Sequence, residues 1–245
     1  MKAIILAAGR GSRMKDKTES LPKCLMRLWN KSLLEWQLQS LRRGGVDEIA
    51  IVTGYRAEAI EKRQPHLKFF RNDAWAQTQM VSTLMRADEW LRAEDCIVSY
   101  ADIVYSPRAV ELLIDTPDDI AITYHTKFLE LWQDRFDNPL DDIETFKLDA
   151  QSNLLEIGNR AKSLDDIEGQ YMGLLKFTPR GWSEVTRALQ SPHLPKPVAK
   201  IDMTGLLSFL LTLGISIKAV AYDELFVEVD NPDDLSLYET WESPT

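Results

Sequence analysis

The feature that most restricts the fold is an alternation of short apolar runs with segments whose apolar residues recur at helical spacing. The run KAIILAA at residues 2–8 is continuously apolar after its lysine, as a strand covered on both faces is, and DEIAIVTGY at 47–55 repeats the theme. Between them, SLLEWQLQSLRRGG has four leucines at helical spacing, and the pair Gly44-Gly45 predicts the helix end. This stretch predicts a βαβ unit.

The alternation continues along the chain, with strands predicted at 68–70, 95–100 and 119–125 and helices at 81–91 and after Pro107. It predicts an α/β protein with a mostly parallel mixed sheet and helices on both faces. After His125 the pattern loosens, and we expect an insertion of hairpin-like strands at about 126–170 within one domain, 1–245. The elements predicted to follow are a strand at 170–177, two helices after Pro179, strands at 216–222 and 225–229, and a closing helix from Pro232.

Composition excludes several classes of function. The chain has 245 residues, of which 44% are hydrophobic, and a net charge of −9, which disfavours duplex DNA and anionic membranes as partners. No stretch approaches membrane-spanning length, and we expect a cytoplasmic protein. Cys24 and Cys96 lie far apart and the three histidines are scattered, so we expect two buried thiols and neither a disulfide framework nor a zinc site.

The polar loop after the first strand has the composition of a phosphate-binding loop. It lacks the third glycine of the dinucleotide fingerprint, because Met14 takes that place, and no Gly-Lys-Ser/Thr closes it as in a Walker loop. Gly9 and Gly11 would let backbone N–H groups face a ligand, and Arg13 and Lys23 would add two cations. The loop therefore predicts a triphosphate site, and the alternative is a mobile loop with solvated charges.

Two acids follow predicted strands. Asp102 comes after CIVSYA and Asp230 after LFVEV, at the strand ends where α/β sheets bind ligands. A pair of carboxylates with substrate phosphates is a typical Mg²⁺ site. For Asp230 the alternative is a turn with a helix cap at Asn231, and the residues alone leave both interpretations open.

The pattern Leu6-Ala7-Ala8-Gly9-x-Gly11-Ser12-Arg13 followed by Pro22-Lys23 resembles the signature of the sugar-nucleotide pyrophosphorylases and their MobA-like and phosphocholine-cytidylyltransferase-like relatives. The resemblance spans essentially the whole chain. It is strongest to cytidylyltransferases acting on small phosphorylated or phosphonylated amines, which share the segments WxxRFxxPLxDxETF and GQYMGLLKF. It implies a single-domain, Rossmann-like nucleotide-diphospho-sugar transferase fold.

The resemblance implies a nucleotide site in which Arg13 and Lys23 contact the triphosphate and act as the catalytic cations. The chain departs from the family pattern at Gln79, where asparagine is usual, and at Ala101, where glycine is usual. The implied nucleotide-binding residues are Leu6, Ala8, Gly9, Gly11, Ser12, Arg13, Lys23, Gln79, Ser82 and Ala101.

Asp102 and Asp230 match the aspartates that bind magnesium in those enzymes, so the implied cofactor is Mg²⁺. The implied reaction is attack by a phosphate or phosphonate oxygen on the α-phosphorus of CTP, which gives a CMP-linked product and pyrophosphate. The nucleophile is ionised near neutral pH, so the protein needs no general base and has only to align two anions and stabilise their charge.

The predicted acceptor site belongs to the insertion and the strand after it. Sugar-nucleotide pyrophosphorylases have a Glu-Lys-Pro segment there whose lysine meets the acceptor phosphate, and Glu156 with Arg160 or Lys162 would correspond. Trp132 and Tyr171, with Asp142 and Glu144, would bind an ammonium group by cation–π and ionic contact. The alternative is that both aromatic residues belong to the core and that the acids form an exposed, solvated face. The predicted acceptor residues are Trp132, Arg135, Asp142, Glu144, Glu156, Arg160, Lys162 and Tyr171.

Three other functions compete with this one. A hexose-1-phosphate nucleotidyltransferase would share the loop and the metal pair, whereas a catalytically silent nucleotide-sensing subunit would lack a metal ligand. A dehydrogenase is disfavoured by the missing third glycine. The expected partners are CTP and a small phosphate or phosphonate acceptor, with no nucleic acid and no membrane, and a homodimer stays an open alternative.

Overall fold

Strands and helices alternate along the chain as the apolar runs predicted, within residues 1–136 and 138–243, which the computed structural model describes. The strands are β1 (Lys2–Ala7), β2 (Arg27–Leu28), β3 (Lys31–Ser32), β4 (Glu48–Thr53), β5 (Lys68–Arg71), β6 (Cys96–Tyr100), β7 (Ile103–Tyr105), β8 (Ile120–His125), β9 (Glu144–Leu148), β10 (Leu154–Arg160), β11 (Gln170–Phe177), β12 (Lys218–Tyr222) and β13 (Phe226–Glu228). The helices are α1 (Leu33–Arg43), α2 (Ala57–Glu61), α3 (Met80–Leu84), α4 (Asp88–Ala93), α5 (Pro107–Asp115), α6 (Phe128–Arg135), α7 (Pro179–Leu189), α8 (Met203–Thr212) and α9 (Pro232–Tyr238).

The central sheet of the described chain has seven strands in the order β12-β8-β11-β6-β1-β4-β5. Neighbouring strands are parallel except at β11, which runs antiparallel to both β6 and β8. The carboxyl ends of β1, β4 and β6 therefore meet at one edge of the sheet. The predicted mostly parallel mixed sheet is confirmed.

The sheet is covered on both faces, and β1 shows why its sequence is continuously apolar. Ala3 and Ile5 pack into the core cluster beneath α1 and α5, whereas Ile4 and Leu6 face the cluster beneath α4, α7 and α8. Successive side chains of a strand point to opposite faces, so a strand buried on both sides has no polar position. The four leucines of α1 are buried as their spacing predicted.

Several elements differ from the sequence prediction, and the short elements α2, β2, β3 and β7 were not predicted at all. The helix expected at 81–91 is two short helices, because a 3₁₀ turn over Met85–Ala87 separates α3 from α4. The break lets Asp88 start α4, where a carboxylate suits the helix dipole, and its Oδ1 accepts a hydrogen bond of 2.8 Å from Trp182 Nε1. The segment 126–170 contains the expected antiparallel pair, β9 with β10, and also α6, which was not predicted.

A short ribbon beside the sheet positions the two candidate metal ligands. Strand β7 pairs antiparallel with β13, with Ile103 opposite Glu228, and Val229 N donates to Asp102 O at 3.0 Å. In an antiparallel pair the start of one strand lies opposite the end of the other. The ribbon thus brings Asp102 beside Asp230, although 127 residues separate them in sequence.

No helix in residues 1–136 or 138–243 is both long and apolar enough to cross a membrane.

We predict that Gly173→Ala destabilises the protein far more than Gly214→Ala. Both glycines have a left-handed backbone, with φ of 76° and 73°, but a Cβ at Gly173 would lie 2.6 Å from the Tyr100 ring, whereas a Cβ at Gly214 would meet nothing within 4 Å. The left-handed conformation alone costs a non-glycine residue about 1–2 kcal/mol, and overpacking adds about 1–3 kcal/mol. Urea denaturation should give the larger loss of unfolding free energy for Gly173→Ala, and equal losses would contradict the packing argument.

Candidate active site

A cleft of about 270 Å³ opens at the carboxyl ends of β1 and β6. Leu6 of β1 is level with Tyr100 of β6, so the loop after β1 lies next to the turn that carries Asp102. Nine of the twelve residues predicted to bind nucleotide or metal line this cleft. The lining residues are Leu6, Ala7, Gly9, Gly11, Ser12, Arg13, Pro22, Lys23, Cys24, Met80, Tyr100, Ala101, Asp102 and Asp230.

The loop after β1 is ordered around Gly11. This residue has φ of 68°, and a Cβ there would lie 2.9 Å from the Lys23 side chain, so glycine both allows the turn and leaves room for the lysine stem. Residues Ser12–Thr18 form a 3₁₀ helix whose far end is held by the Tyr55 hydroxyl, which donates to Thr18 O at 2.7 Å. The loop thereby directs Lys23 into the cleft.

The Lys23 ammonium lies between the two predicted metal ligands. Its Nζ donates to Asp102 Oδ2 at 2.7 Å and to Asp230 Oδ1 at 3.1 Å, and its side chain is only 10% exposed. Burial lowers the pKa of Lys23, but the carboxylates of Asp102 and Asp230 outweigh burial and hold that pKa above its ordinary value. The lysine is therefore a fixed positive charge of the cleft.

Arg13 approaches the same carboxylate from the solvent side. Its Nη2 donates to Asp230 Oδ1 at 2.7 Å, while 65% of its side chain is exposed. Burial raises the pKa of Asp230, but Lys23, Arg13 and Arg135 together hold it below its ordinary value. Asp230 is thus an anion surrounded by three cations, of which Arg13 is the most accessible.

The helix cap that the sequence offered as the alternative interpretation is present in the residues after Asp230. Asn231 is the N-cap of α9 and forms a capping box with Asp234. The cap and the site coexist, because Asp230 lies just before the cap with its side chain turned into the cleft.

Two of the predicted acceptor residues, Trp132 and Arg135, have side chains inside the protein. Trp132 is fully buried, and its Nε1 donates to Asp142 Oδ2 at 3.3 Å. The Arg135 side chain is 0% exposed and contacts Asp230 and Asp234. In this conformation Arg135 is not available to an acceptor, because its donors face carboxylates of the protein.

The other predicted acceptor residues do not line the cleft either. Tyr171 is buried, its ring meets that of Tyr100 edge-on at 5.9 Å, and within the described chain its hydroxyl has no hydrogen-bond partner. Glu144 is exposed on β9. Glu156 accepts a hydrogen bond of 3.0 Å from Asn159, which lowers its pKa. Arg160 and Lys162 are exposed and form no ion pair with any described residue.

Three predicted nucleotide residues, Gln79, Ser82 and Ala8, do not line the cleft. Gln79 is exposed and its backbone N–H donates to Ala199 O at 2.9 Å, and Ser82 Oγ donates to Val198 O at 3.2 Å. Both belong to the first turns of α3, and Met80 between them reaches the cleft. Ala8 is buried at the end of β1.

Cys24, Met80 and Tyr100 line the cleft but were not predicted to belong to the site, and neither was Glu228, whose carboxyl interacts with Asp230 and Asp102. Glu228 could have been found from the sequence VEVD. Residues two apart on a strand point to the same face, so Glu228 is expected to lie on the same side as Asp230. Burial and the carboxylates of Asp230 and Asp102 raise the pKa of Glu228 to about 8. Cys24 and Cys96 are buried free thiols as expected, and burial raises the pKa of each to about 12.

The carboxylates of the cleft suit a divalent cation whose remaining ligands come from the substrate. The described residues include no group of three or more histidine, cysteine, aspartate or glutamate side chains that could hold a metal by themselves. Asp102 Oδ1 is buried without a hydrogen-bond partner in the described chain, and the neighbouring carboxylate oxygens already bind a cation, the Lys23 ammonium. Mg²⁺ commonly binds one or two carboxylates together with substrate phosphates, so the residues fit such an ion.

Comparison with known proteins shows which family the chain belongs to. The MobA-like NTP transferase domain matches residues 3–157. The chain is 34% identical to the Campylobacter jejuni protein named CTP:phosphoglutamine cytidylyltransferase, over 97% of this chain and 98% of that protein. It is 40% identical to the choline-phosphate cytidylyltransferase of Streptococcus pneumoniae over 31% of this chain and 34% of that protein.

Solved structures show the same fold. The inositol-1-phosphate CTP transferase from T. maritima has a TM-score of 0.77 at 19% identity and covers 99% of this chain and 98% of its own. The CTP:phosphocholine cytidylyltransferase from Streptococcus pneumoniae has a TM-score of 0.72 at 17% identity, with 97% of each chain covered. The predicted fold and the family resemblance are confirmed. With a family match over more than half of its length and a relative similar from end to end, the chain belongs to the MobA-like NTP transferase family.

Proposed function

We propose that the protein is a cytidylyltransferase that joins CMP from CTP to a phosphate or phosphonate oxygen of a small acceptor and releases pyrophosphate. The observation that carries the proposal is the Lys23 ammonium held between Asp102 and Asp230 at the rim of a glycine-containing loop. The end-to-end similarity to a protein named CTP:phosphoglutamine cytidylyltransferase supports CTP as the donor.

The charge distribution of the cleft suits a polyphosphate. Lys23 and Arg13 face it from the loop, and a Cβ at Gly9 would meet nothing within 4 Å, so the backbone there is open to a ligand. Local cations and backbone N–H groups can hold a triphosphate even in a chain with a net charge of −9. The proposed nucleotide contacts otherwise remain those predicted from the sequence.

NTP transferases of this family generally use a divalent metal ion. We propose Mg²⁺, with Asp102 and Asp230 as its protein ligands. When bound, the ion would neutralise charge on the triphosphate and on the departing pyrophosphate.

Lys23 and Arg13 are the groups that change partners in the proposed mechanism. Phosphate oxygens entering the cleft compete with the two carboxylates for the Lys23 ammonium, which then lies beside the α-phosphate and the incoming nucleophile. Arg13 is largely exposed and is free to turn from Asp230 to the triphosphate. The acceptor oxygen is already anionic near neutral pH, so these cations align the reactants and stabilise the charge that moves to pyrophosphate.

The acceptor is proposed to be a small phosphorylated or phosphonylated amine or amino acid. Arg160 and Lys162 have exposed, unpaired charges among the described residues and are the proposed contacts for its phosphate. Glu144 and Asp142 carry negative charge on the same insertion and would favour a cationic group on the acceptor.

Several further expectations stay proposals. The enzyme is proposed to act in the cytoplasm as a single domain over residues 1–245, with residues 126–170 as an acceptor-side insertion. A homodimer stays an open alternative.

We predict pyrophosphate release with CTP and with none of UTP, dTTP, GTP or ATP at a comparable rate. Coupled phosphate detection would compare each nucleotide against phosphocholine, 2-aminoethylphosphonate, phosphorylated amino acids and hexose 1-phosphates. The expected result is turnover with an amine or amino-acid acceptor. Turnover with hexose 1-phosphates alone would replace the proposal by a sugar-nucleotide pyrophosphorylase, and no turnover with any pair would favour a nucleotide-sensing subunit.

We predict that Asp102→Asn lowers kcat by about 10²-fold or more, the scale of losing one electrostatic contact to a transition state. Asp233→Asn is the matched control, because Asp233 is an exposed carboxylate close to Asp230 that does not line the cleft. Steady-state kinetics should show near-normal turnover for the control. Equal kcat values for wild type and Asp102→Asn would contradict the assignment of Asp102 as a metal ligand.

We predict that Lys23→Met binds Mn²⁺ without nucleotide at least tenfold more tightly than the wild type does. The ammonium occupies the space between the carboxylates, and unit charges about 4 Å apart interact by roughly 4 kcal/mol at an effective dielectric constant of 20. Arg10→Met removes a charge from the same loop without touching either carboxylate and should leave Mn²⁺ binding unchanged. Electron paramagnetic resonance of free Mn²⁺ measures both, and identical affinities for wild type and Lys23→Met would contradict the arrangement.

A further inference from the structure

Arg135 is a permanently charged side chain with no exposed surface. It is the last residue of α6, in the segment that joins β8 to β9. A buried guanidinium is tolerated only where groups of opposite charge lie close enough to offset its charge. The charged groups around Arg135 therefore indicate the role of this residue.

Its partners are carboxylates of one short stretch of chain. Arg135 Nη2 lies 3.2 Å from Asp230 Oδ2, Nε lies 3.1 Å from Asp234 Oδ1, and Nη1 lies 3.8 Å from Glu228 Oε2. The guanidinium holds its donors in a fixed planar fork that matches the two oxygens of the Asp234 carboxylate, whereas an ammonium is a point charge without that geometry. Arg135 thus ties together the end of β13 and the start of α9.

Aromatic rings hold the guanidinium in this place. Its central carbon lies 4.9 Å from the Trp132 ring centre and 5.0 Å from that of Phe136. Such contacts stabilise a cation and keep water away from it. Trp132 is itself held by a hydrogen bond to Asp142, so the support extends into the insertion.

The two oxygens of Asp230 have different partners. Oδ1 accepts from Lys23 and Arg13 in the cleft, whereas Oδ2 accepts from Arg135 on the buried side. With Oδ2 held from behind, the carboxylate cannot rotate freely about its Cβ–Cγ bond. A metal ion in the cleft would therefore meet Oδ1 alone.

Asp234 holds the backbone of Asp230 in place. Its Oδ2 accepts from the backbone N–H of Asp230 at 2.6 Å and of Asn231 at 3.0 Å, while both of its oxygens contact Arg135. Arg135 therefore reaches Asp230 by two routes, directly through the side chain and through Asp234 to the main chain.

We infer that Arg135 is a positioning residue that orients Asp230 for one-oxygen coordination of the metal ion, and that it does not bind the acceptor. The inference rests on the proposed function, since it concerns the same metal site. In this arrangement, residues 132–136 of the insertion hold Asp230 in position through Arg135. Any acceptor contact of the insertion must then come from its exposed residues.

The test compares Arg135→Met, Arg135→Lys and Leu91→Ala with the wild type. Met keeps the volume and removes the charge, while Lys keeps the charge and loses the fork. Leu91 is fully buried on α4 beneath the opposite face of the sheet, and Leu→Ala there should cost about 2–5 kcal/mol of stability without touching the site. Thermal denaturation would show how much each change destabilises the fold.

The deciding measurement is Mn²⁺ binding in the presence of CTP and without acceptor, followed by the Mg²⁺ dependence of kcat and KM. Loss of a residue that orients a metal ligand typically weakens metal binding by about 10- to 100-fold. We expect a loss on that scale for Arg135→Met, a smaller loss for Arg135→Lys, an unchanged acceptor KM at saturating Mg²⁺, and normal metal binding for Leu91→Ala.

Two results would overturn the inference. One is normal Mn²⁺ binding with a raised acceptor KM in Arg135→Met, which would make Arg135 an acceptor contact. The other is a metal affinity in Arg135→Met no lower than in Leu91→Ala, which would leave it a purely structural residue. The binding measurement needs no turnover, so an absence of pyrophosphate release in the wild type would count against the proposed function and not against the role of Arg135.

Discussion

The structure of the site depends on the repulsion between Asp102 and Asp230 and on the cation that offsets it. Two carboxylates at the end of a buried sheet cannot lie side by side as anions unless positive charge separates them. Lys23 supplies that charge in this conformation, with its ammonium within 3.1 Å of an oxygen of each. The glycine loop, the ribbon and the buried arginine are all arranged around this requirement.

The requirement explains why so many charges are concentrated at one edge of an acidic protein. Three acids, Asp102, Glu228 and Asp230, converge with Lys23, Arg13 and Arg135. Lys23 and Arg13 face the cleft, whereas Arg135 is enclosed by aromatic rings. The cations open to the cleft are those that a polyphosphate can recruit, and the enclosed one keeps its protein partners.

Much of the fold followed from pattern alone. Strand β1 is apolar from Ala3 to Ala7 because both faces of the sheet are covered, and the spacing of leucines in α1 matches a helix with one buried face. Helix α6 was not predicted, because its Trp132 and Arg135 are buried by contacts with distant residues and not by a regular apolar stripe. The break between α3 and α4 also escaped prediction, since no glycine or proline marks it.

The sequence by itself determined the sheet, the glycine loop and the identity of the charged residues that meet at the strand ends, since these depend on local periodicity and on motifs a few residues long. Only the tertiary structure decided which charges touch. The β7–β13 ribbon brings Asp102 to Asp230, and the packing of α6 buries the Arg135 guanidinium against the carboxylate of Asp230, 95 residues away. Such contacts depend on the packing of distant elements, and no local pattern in the chain encodes their distances.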